Sequence, residues 1–136
     1  MGIKVCKFGG TSMADGNIIL RAAQIVQSDK DRRFVVVSAP GKRFNGDIKV
    51  TDLLYKCADA LDAGDSSLFE ETFDKISTRF LNIERELEKD VGMQAGLNQV
   101  KAEMLGGAGR DYCASRGEYF AAKVMAPSTP NRQISC

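Results

Sequence analysis

Apolar residues along this chain recur in two rhythms, short strand-like runs and longer helical stripes, and their order predicts an α/β protein. Ile3, Val5, Cys6 and Phe8 form a run closed by Gly9-Gly10, which reads as a strand from Ile3 to Phe8 ending in a turn. From about Asn17 to Ser28, Ile18, Ile19, Ala22, Ala23, Ile25 and Val26 fall on one side at helical spacing, with Asp15 placed upstream to cap the helix. Arg33 to Ala39 is then a β-branched run of the kind buried on both faces of a parallel sheet, and Pro40-Gly41 stops it. Strand, helix and strand make a βαβ unit with a right-handed crossover, so both strands end at the same edge of the sheet.

Lys42 to Val50 is polar and basic and reads as a loop. Thr51 to Ala63 follows as a helix, with Leu53, Leu54, Cys57, Ala58 and Leu61 as its apolar face, Thr51 as N-cap and Gly64 as the stop. Phe69, Phe73, Ile76, Phe80, Ile83 and Leu87 mark a long amphipathic helix ending near Asp90, and an aromatic stripe at that spacing is core packing. Leu97 to Leu105 predicts one more short helix. Gly106-Gly107-Ala108-Gly109 then breaks the pattern and leads through Ser115-Arg116-Gly117-Glu118 into a final helix from Tyr119 to Ala126. Pro127, Pro130 and the polar Asn131-Arg132-Gln133 cannot extend that helix, so residues 127–136 are expected to form a disordered or aberrant tail behind residues 1–126. No repeat or linker divides the chain.

Composition narrows the function classes. Nineteen basic residues against 18 acidic leave no excess charge to hold nucleic acid by counterion release. No stretch approaches the roughly 20 apolar residues of a membrane span, and the N-terminus lacks a signal-peptide pattern, which predicts a soluble cytoplasmic protein. Cys6, Cys57, Cys113 and Cys136 form no Cys-x-x-Cys pair, so they read as buried hydrophobes or free thiols. The chain contains no histidine, which leaves lysine, carboxylates, hydroxyls and backbone amides as the groups available for chemistry.

The most informative stretch is Lys7-Phe8-Gly9-Gly10-Thr11-Ser12, where a strand gives way to a loop before a helix. Two glycines let the backbone approach a ligand and aim N–H groups at an anion, Thr11 and Ser12 add hydroxyl donors, and Lys7 adds charge. It is neither a Walker A loop nor Gly-x-Gly-x-x-Gly, and a plain tight turn fits it as well as phosphate binding does.

Taken as a string, Lys7 to Ser12 resembles the signature of aspartate kinases in the amino-acid kinase family at all six positions. Val35-Val36-Val37-Ser38-Ala39 is similar to that family's second strand, Val50-Thr51-Asp52-Leu53-Leu54 to the segment that follows, and Ser115-Arg116-Gly117-Glu118 to its Ser-x-Gly-Glu element. The resemblance implies the N-terminal portion of a parallel-sheet α/β/α sandwich of the amino-acid kinase type. It implies transfer of the γ-phosphoryl group of ATP, with Mg2+, to the side-chain carboxylate of L-aspartate, the reaction that opens lysine, threonine and methionine synthesis. Phosphoryl transfer asks mainly for positioning and charge neutralisation, and a carboxylate acceptor with a pKa of about 3.9 needs no general base.

By the same resemblance Lys7 is the catalytic cation facing the transferred phosphate. Lys7, Gly9, Gly10 and Ser12 line the ATP phosphates, Ser38 and Thr51 contact aspartate, and Glu118 holds its ammonium group. Glu118 also reads as a first-turn residue that stabilises a helix dipole. No residue is assigned to a metal. The basic loop from Lys42 to Val50 either reaches an anion or is merely solvated. The family's remaining part supplies the adenine and ribose site and a second lysine on the phosphates, so little or no turnover is expected of this segment alone, and an inert, anion-binding remnant of the fold is the alternative. A sheet cut across its middle also exposes an edge and an apolar face, which a homo-oligomer would cover.

Overall fold

The computed structural model describes residues 2–136. Strand β1 (Lys4–Phe8) leads through a 3-10 turn at Gly10–Met13 into helix α1 (Gly16–Gln27), and strand β2 (Arg32–Val37) follows. The crossover returns β2 parallel beside β1, in register from Val5 opposite Phe34 to Phe8 opposite Val37. The Asp15 side chain caps α1 by accepting from the Ile18 N–H at 2.9 Å, which explains why the helix starts there. Four further helices then stack together: α2 (Val50–Asp62), α3 (Ser66–Leu87), α4 (Met93–Leu105) and α5 (Arg110–Met125).

The core lies between this helical layer and one face of the sheet. Val35 and Val37 are buried there with Ile19, Val26, Leu54, Phe80 and Phe120, while the stripe from Phe69 to Leu87 is buried along α3. The opposite face of the sheet is open: Val5 is 66% and Phe34 38% exposed, and Lys7 shares that face because side chains alternate along a strand. The expectation that β2 is buried on both faces therefore holds for one face only, because all the helices that pack on the sheet do so from the Val35 and Val37 side.

Three elements differ from the sequence reading. Helix α5 begins at Arg110, not Tyr119, so Ser115 to Glu118 are helical and Glu118 sits in the helix interior, away from the first-turn position that would favour a dipole role. The N-cap of α2 is Lys49, with no side-chain capping bond, and Thr51 is already inside the helix. The segment 127–136, expected to form a disordered or aberrant tail, carries regular elements: a 3-10 turn at Ala126–Ser128 leads to strand β3 (Gln133–Ser135), which pairs parallel with β2 from Phe34 opposite Gln133 to Val36 opposite Ser135. The free edge of β2 supplies hydrogen-bonding partners that its composition does not announce, and Thr129 locks the preceding turn by donating its hydroxyl to the Met125 carbonyl at 3.0 Å. The sheet order is β1-β2-β3.

Candidate functional site

Both long strands end at one edge of the sheet, and their loops meet there. The Ser38 N–H donates to the Phe8 carbonyl at 3.1 Å, carrying the ladder one residue beyond β2, and the Gly41 N–H donates to the Gly10 carbonyl at 2.8 Å. Gly41 leaves no room for a side chain, since a Cβ there would stand 2.7 Å from the Gly10 carbonyl carbon, and Gly10 is tight, since a Cβ there would stand 3.2 Å from the Ala39 carbonyl oxygen. Gly9 differs, since a Cβ there would meet nothing within 4 Å. Its backbone is extended, with φ −75° and ψ 178°, so the bare peptide at Gly9 is left open to solvent without being required by the turn.

Helix α2 enters from the other side, its Val50 N–H donating to the Pro40 carbonyl at 3.1 Å. Helix α5 is brought in by Gly117. A Cβ at that position would lie 2.8 Å from Ala39 Cβ and 3.2 Å from both Leu54 Cδ1 and Val50 Cγ1, so the helix approaches the end of β2 as closely as a bare glycine allows. The next residue, Glu118, is thereby carried to the sheet edge.

Between these loops and helix ends lies a cavity of about 360 Å³ lined by Gly10, Thr11, Ser38, Ala39, Lys42, Lys49, Thr51 and Glu118 among others. Four of the residues singled out from sequence thus come together: Gly10, Ser38, Thr51 and Glu118. Lys7, Gly9 and Ser12 are not on its wall; Lys7 lies opposite Val36 on the open face of the sheet, and the Ser12 N–H closes the turn on the Gly9 carbonyl at 3.0 Å. Arg116 points elsewhere, stacked 4.3 Å from the Tyr112 ring and 4.8 Å from the Tyr119 ring. The cavity wall carries two exposed lysines and one exposed glutamate, a combination suited to a small ligand with both anionic and cationic groups. Lys42 and Lys49 bring the basic loop to the cavity wall.

One residue behind the site escaped the sequence reading. Arg79 of α3 is only 4% exposed, and its guanidinium donates to the Ile48 carbonyl at 3.0 Å, the Ala14 carbonyl at 2.9 Å and the Gly41 carbonyl at 2.8 Å. No carboxylate pairs with it among the described residues, and burial pulls its pKa below the ordinary arginine value. The available signal was its place on the apolar stripe, three residues after Ile76 and four before Ile83, where a charge has to find buried partners. In the same loop Arg43 holds Asp47 through Nε at 2.7 Å and Nη2 at 2.9 Å, which drives the Asp47 pKa well below the usual carboxylate range.

A glycine-bearing strand end, a second strand end with a serine and a helix-borne glutamate around one cavity place a candidate small-ligand site at the edge of a parallel α/β sheet. The model of the amino acid kinase family matches residues 2–136, and the chain belongs to that family. It is 44% identical over 86 residues to aspartokinase 3 of Bacillus subtilis, an alignment spanning 63% of this chain and 18% of that protein. Among solved structures it is similar to the aspartate kinase of Clostridium acetobutylicum, with a TM-score of 0.88 and 40% identity over 95% of this chain and 29% of that one. It is also similar to Escherichia coli aspartokinase III in complex with aspartate and ADP, with a TM-score of 0.74 and 28% identity over 93% of this chain and 28% of that one. The chain therefore spans less than a third of the length of these relatives. The resemblance to aspartate kinases carried by the sequence motifs holds at the level of whole-fold similarity.

Proposed function

We propose that this chain contributes the amino-acid acceptor site and part of the phosphate loop to an ATP-dependent aspartate kinase. The observation that carries the reading is the single cavity that gathers Gly10, Thr11, Ser38, Thr51 and Glu118 at the sheet edge with Lys42 and Lys49 around it. The substrate is L-aspartate, whose ammonium group pairs with Glu118 and whose carboxylates meet the hydroxyls of Ser38 and Thr51 and the lysines. ATP lies along Gly9, Gly10 and Ser12 with its γ-phosphate directed at the acceptor carboxylate, and Lys7 neutralises charge on the phosphoryl group. The side-chain carboxylate attacks phosphorus, the bond to the β-phosphate oxygen breaks, and 4-phospho-L-aspartate and ADP result. No proton has to move, which suits a chain without histidine.

The geometry supports the acceptor half of this scheme more fully than the nucleotide half, since Lys7, Gly9 and Ser12 stand outside the cavity wall. Among the described residues no three His, Cys, Asp or Glu side chains cluster as a metal cage. Mg2+ would enter bound to the nucleotide phosphates. No helix of the described residues is long and apolar enough to cross a membrane.

The test mixes the 136-residue chain with MgATP and L-aspartate and traps acyl phosphate with hydroxylamine, while calorimetry follows L-aspartate binding. We expect binding that Glu118→Gln weakens at least tenfold, and little or no acyl phosphate. Acyl phosphate that Lys7→Ala abolishes would show that this segment is a complete catalyst. A folded chain that ignores L-aspartate at millimolar concentration would overturn the acceptor-site assignment.

A further inference from the structure

The peptide bonds of the β2–α2 connection are trans, so each carbonyl and the N–H of the same peptide unit point in opposite directions. Arg79 takes the Gly41 and Ile48 carbonyls at 2.8 and 3.0 Å. The N–H groups of Lys42 and Lys49, which belong to those two peptide units, therefore face away from the arginine. Among the described residues neither N–H meets a protein acceptor, and both residues line the cavity. The third carbonyl, that of Ala14, belongs to the junction between the 3-10 turn after β1 and helix α1. One buried guanidinium thus ties together the loops that follow β1 and β2, both of which contribute to the cavity wall.

We propose that Arg79 is a positioning residue for this cavity, holding the Gly41–Lys42 and Ile48–Lys49 peptide units so that their N–H groups and the two lysine side chains meet the anionic groups of a bound ligand. This rests on reading the cavity as the acceptor site of a phosphoryl transfer. The physical case is the fork geometry of the guanidinium. Three carbonyls from segments 14, 41 and 48 can be held together by one planar group with five donors, whereas an ammonium on a flexible stem has fewer donors and no fixed plane. Arg79 never touches the ligand. It acts through the backbone of Lys42 and Lys49, and its own positive charge, left without a carboxylate partner among the described residues, adds favourable potential behind an anion site.

The experiment uses the 15N-labelled 136-residue chain, wild type and Arg79→Lys, with Arg79→Met as a second variant. Amide relaxation in the free wild type is expected to give Lys42 and Lys49 order parameters near the rigid-backbone value of about 0.85, clearly above those of Phe44 to Gly46 at the loop tip. In Arg79→Lys the Lys42 and Lys49 resonances should broaden or shift while those of Phe120 to Val124 in α5 stay in place. Affinities for L-aspartate and for inorganic pyrophosphate should fall at least tenfold in a variant that is still folded. A purely structural role would lower the melting temperature of both variants and leave the two amides and the affinities of the folded fraction unchanged, and that result would overturn the proposal. Lys42 and Lys49 amides as mobile as the loop tip in the wild type would overturn it without any variant. A wild type that binds neither probe but shows both amides ordered, and loosened by Arg79→Lys, would refute the acceptor-site reading and leave the positioning role standing.

Discussion

Replacing Gly117 with alanine should weaken L-aspartate binding at the proposed acceptor site and lower stability by at most about 2 kcal/mol. The added Cβ would lie 2.8 Å from Ala39 Cβ, whereas carbon atoms rest comfortably at about 3.5–4.0 Å, so α5 must retreat by about 1 Å. The contact atoms cannot yield easily, because Ala39 Cβ is fixed to the backbone at the end of β2 and Leu54 Cδ1 and Val50 Cγ1 already close in at 3.2 Å. Overpacking of this kind costs about 1–3 kcal/mol, and alanine in place of glycine inside a helix returns about 1 kcal/mol. The net loss is therefore about 0–2 kcal/mol, which at about 4 °C per kcal/mol for a chain of this size lowers Tm by at most about 8 °C. Glu118 moves with the helix, away from Ser38 and Thr51, and misplacement of a binding group by about 1 Å is enough for a loss of an order of magnitude or more. Circular dichroism melting and calorimetric titration with L-aspartate measure the two effects on the same sample. Gly96→Ala is the control: its Cβ would meet the Phe120 ring edge at 3.1 Å and Lys123 Nζ at 3.3 Å, far ends of side chains on the flank of α5 away from the cavity, so it should alter stability alone. A Gly117→Ala chain that melts higher than wild type and binds aspartate within twofold would refute the reasoning.

Other consequences can be tested together. Gly16→Ala should destabilise the chain by about 2 kcal/mol in urea denaturation, because its Cβ would fall 2.4 Å from Glu86 Cβ where α1 crosses α3. Asp15→Ala removes the side-chain cap of α1 and should cost about 1 kcal/mol in the same assay. Asp47 has a folded pKa below its unfolded value, so its pairing stabilises the chain above about pH 4 and loses its effect as pH falls toward the folded pKa; the stability gap between wild type and Asp47→Asn should shrink through that acid range. Burial, with Cys113 close by, pushes the Cys57 thiol up to about 12, so iodoacetamide at pH 8 followed by mass spectrometry should modify exposed Cys136 and leave Cys57 untouched.

Features set by local chemistry were legible in the amino-acid sequence. The Asp15 cap, the Gly9-Gly10 turn and the α3 stripe each depend on neighbours a few residues away, and the structure has all of them. Strand β3 was not legible, because three residues following prolines become a strand only where β2 offers an unpaired edge. The start of α5 was missed because Ser115 to Glu118 was read as a motif leading into the helix, whereas the spacing of Cys113, Gly117, Phe120 and Val124 is helical and all four are buried. For the site, the four residues gathered around the cavity were each named from motifs, but the lysines were not assigned to it: a loop's reach is decided by what anchors it, and the anchor is Arg79, a residue remote in sequence. Which strand face Lys7 occupies likewise follows from the pleat, which a motif does not specify.

The loop between β2 and α2 has two mechanically separate parts. Its base is locked where Gly10 and Gly41 touch through their backbones, while its tip closes on itself through Arg43 and Asp47, with Gly46 at φ +91° completing the turn. Length and chemistry at the tip can therefore change without disturbing the base, whereas a residue inserted among Ala39, Pro40 and Gly41 would push the two strand ends apart. That makes Asn45 a natural mounting point for an added group, such as a dye on an introduced cysteine, which would sit on the tip and leave the base of the loop undisturbed.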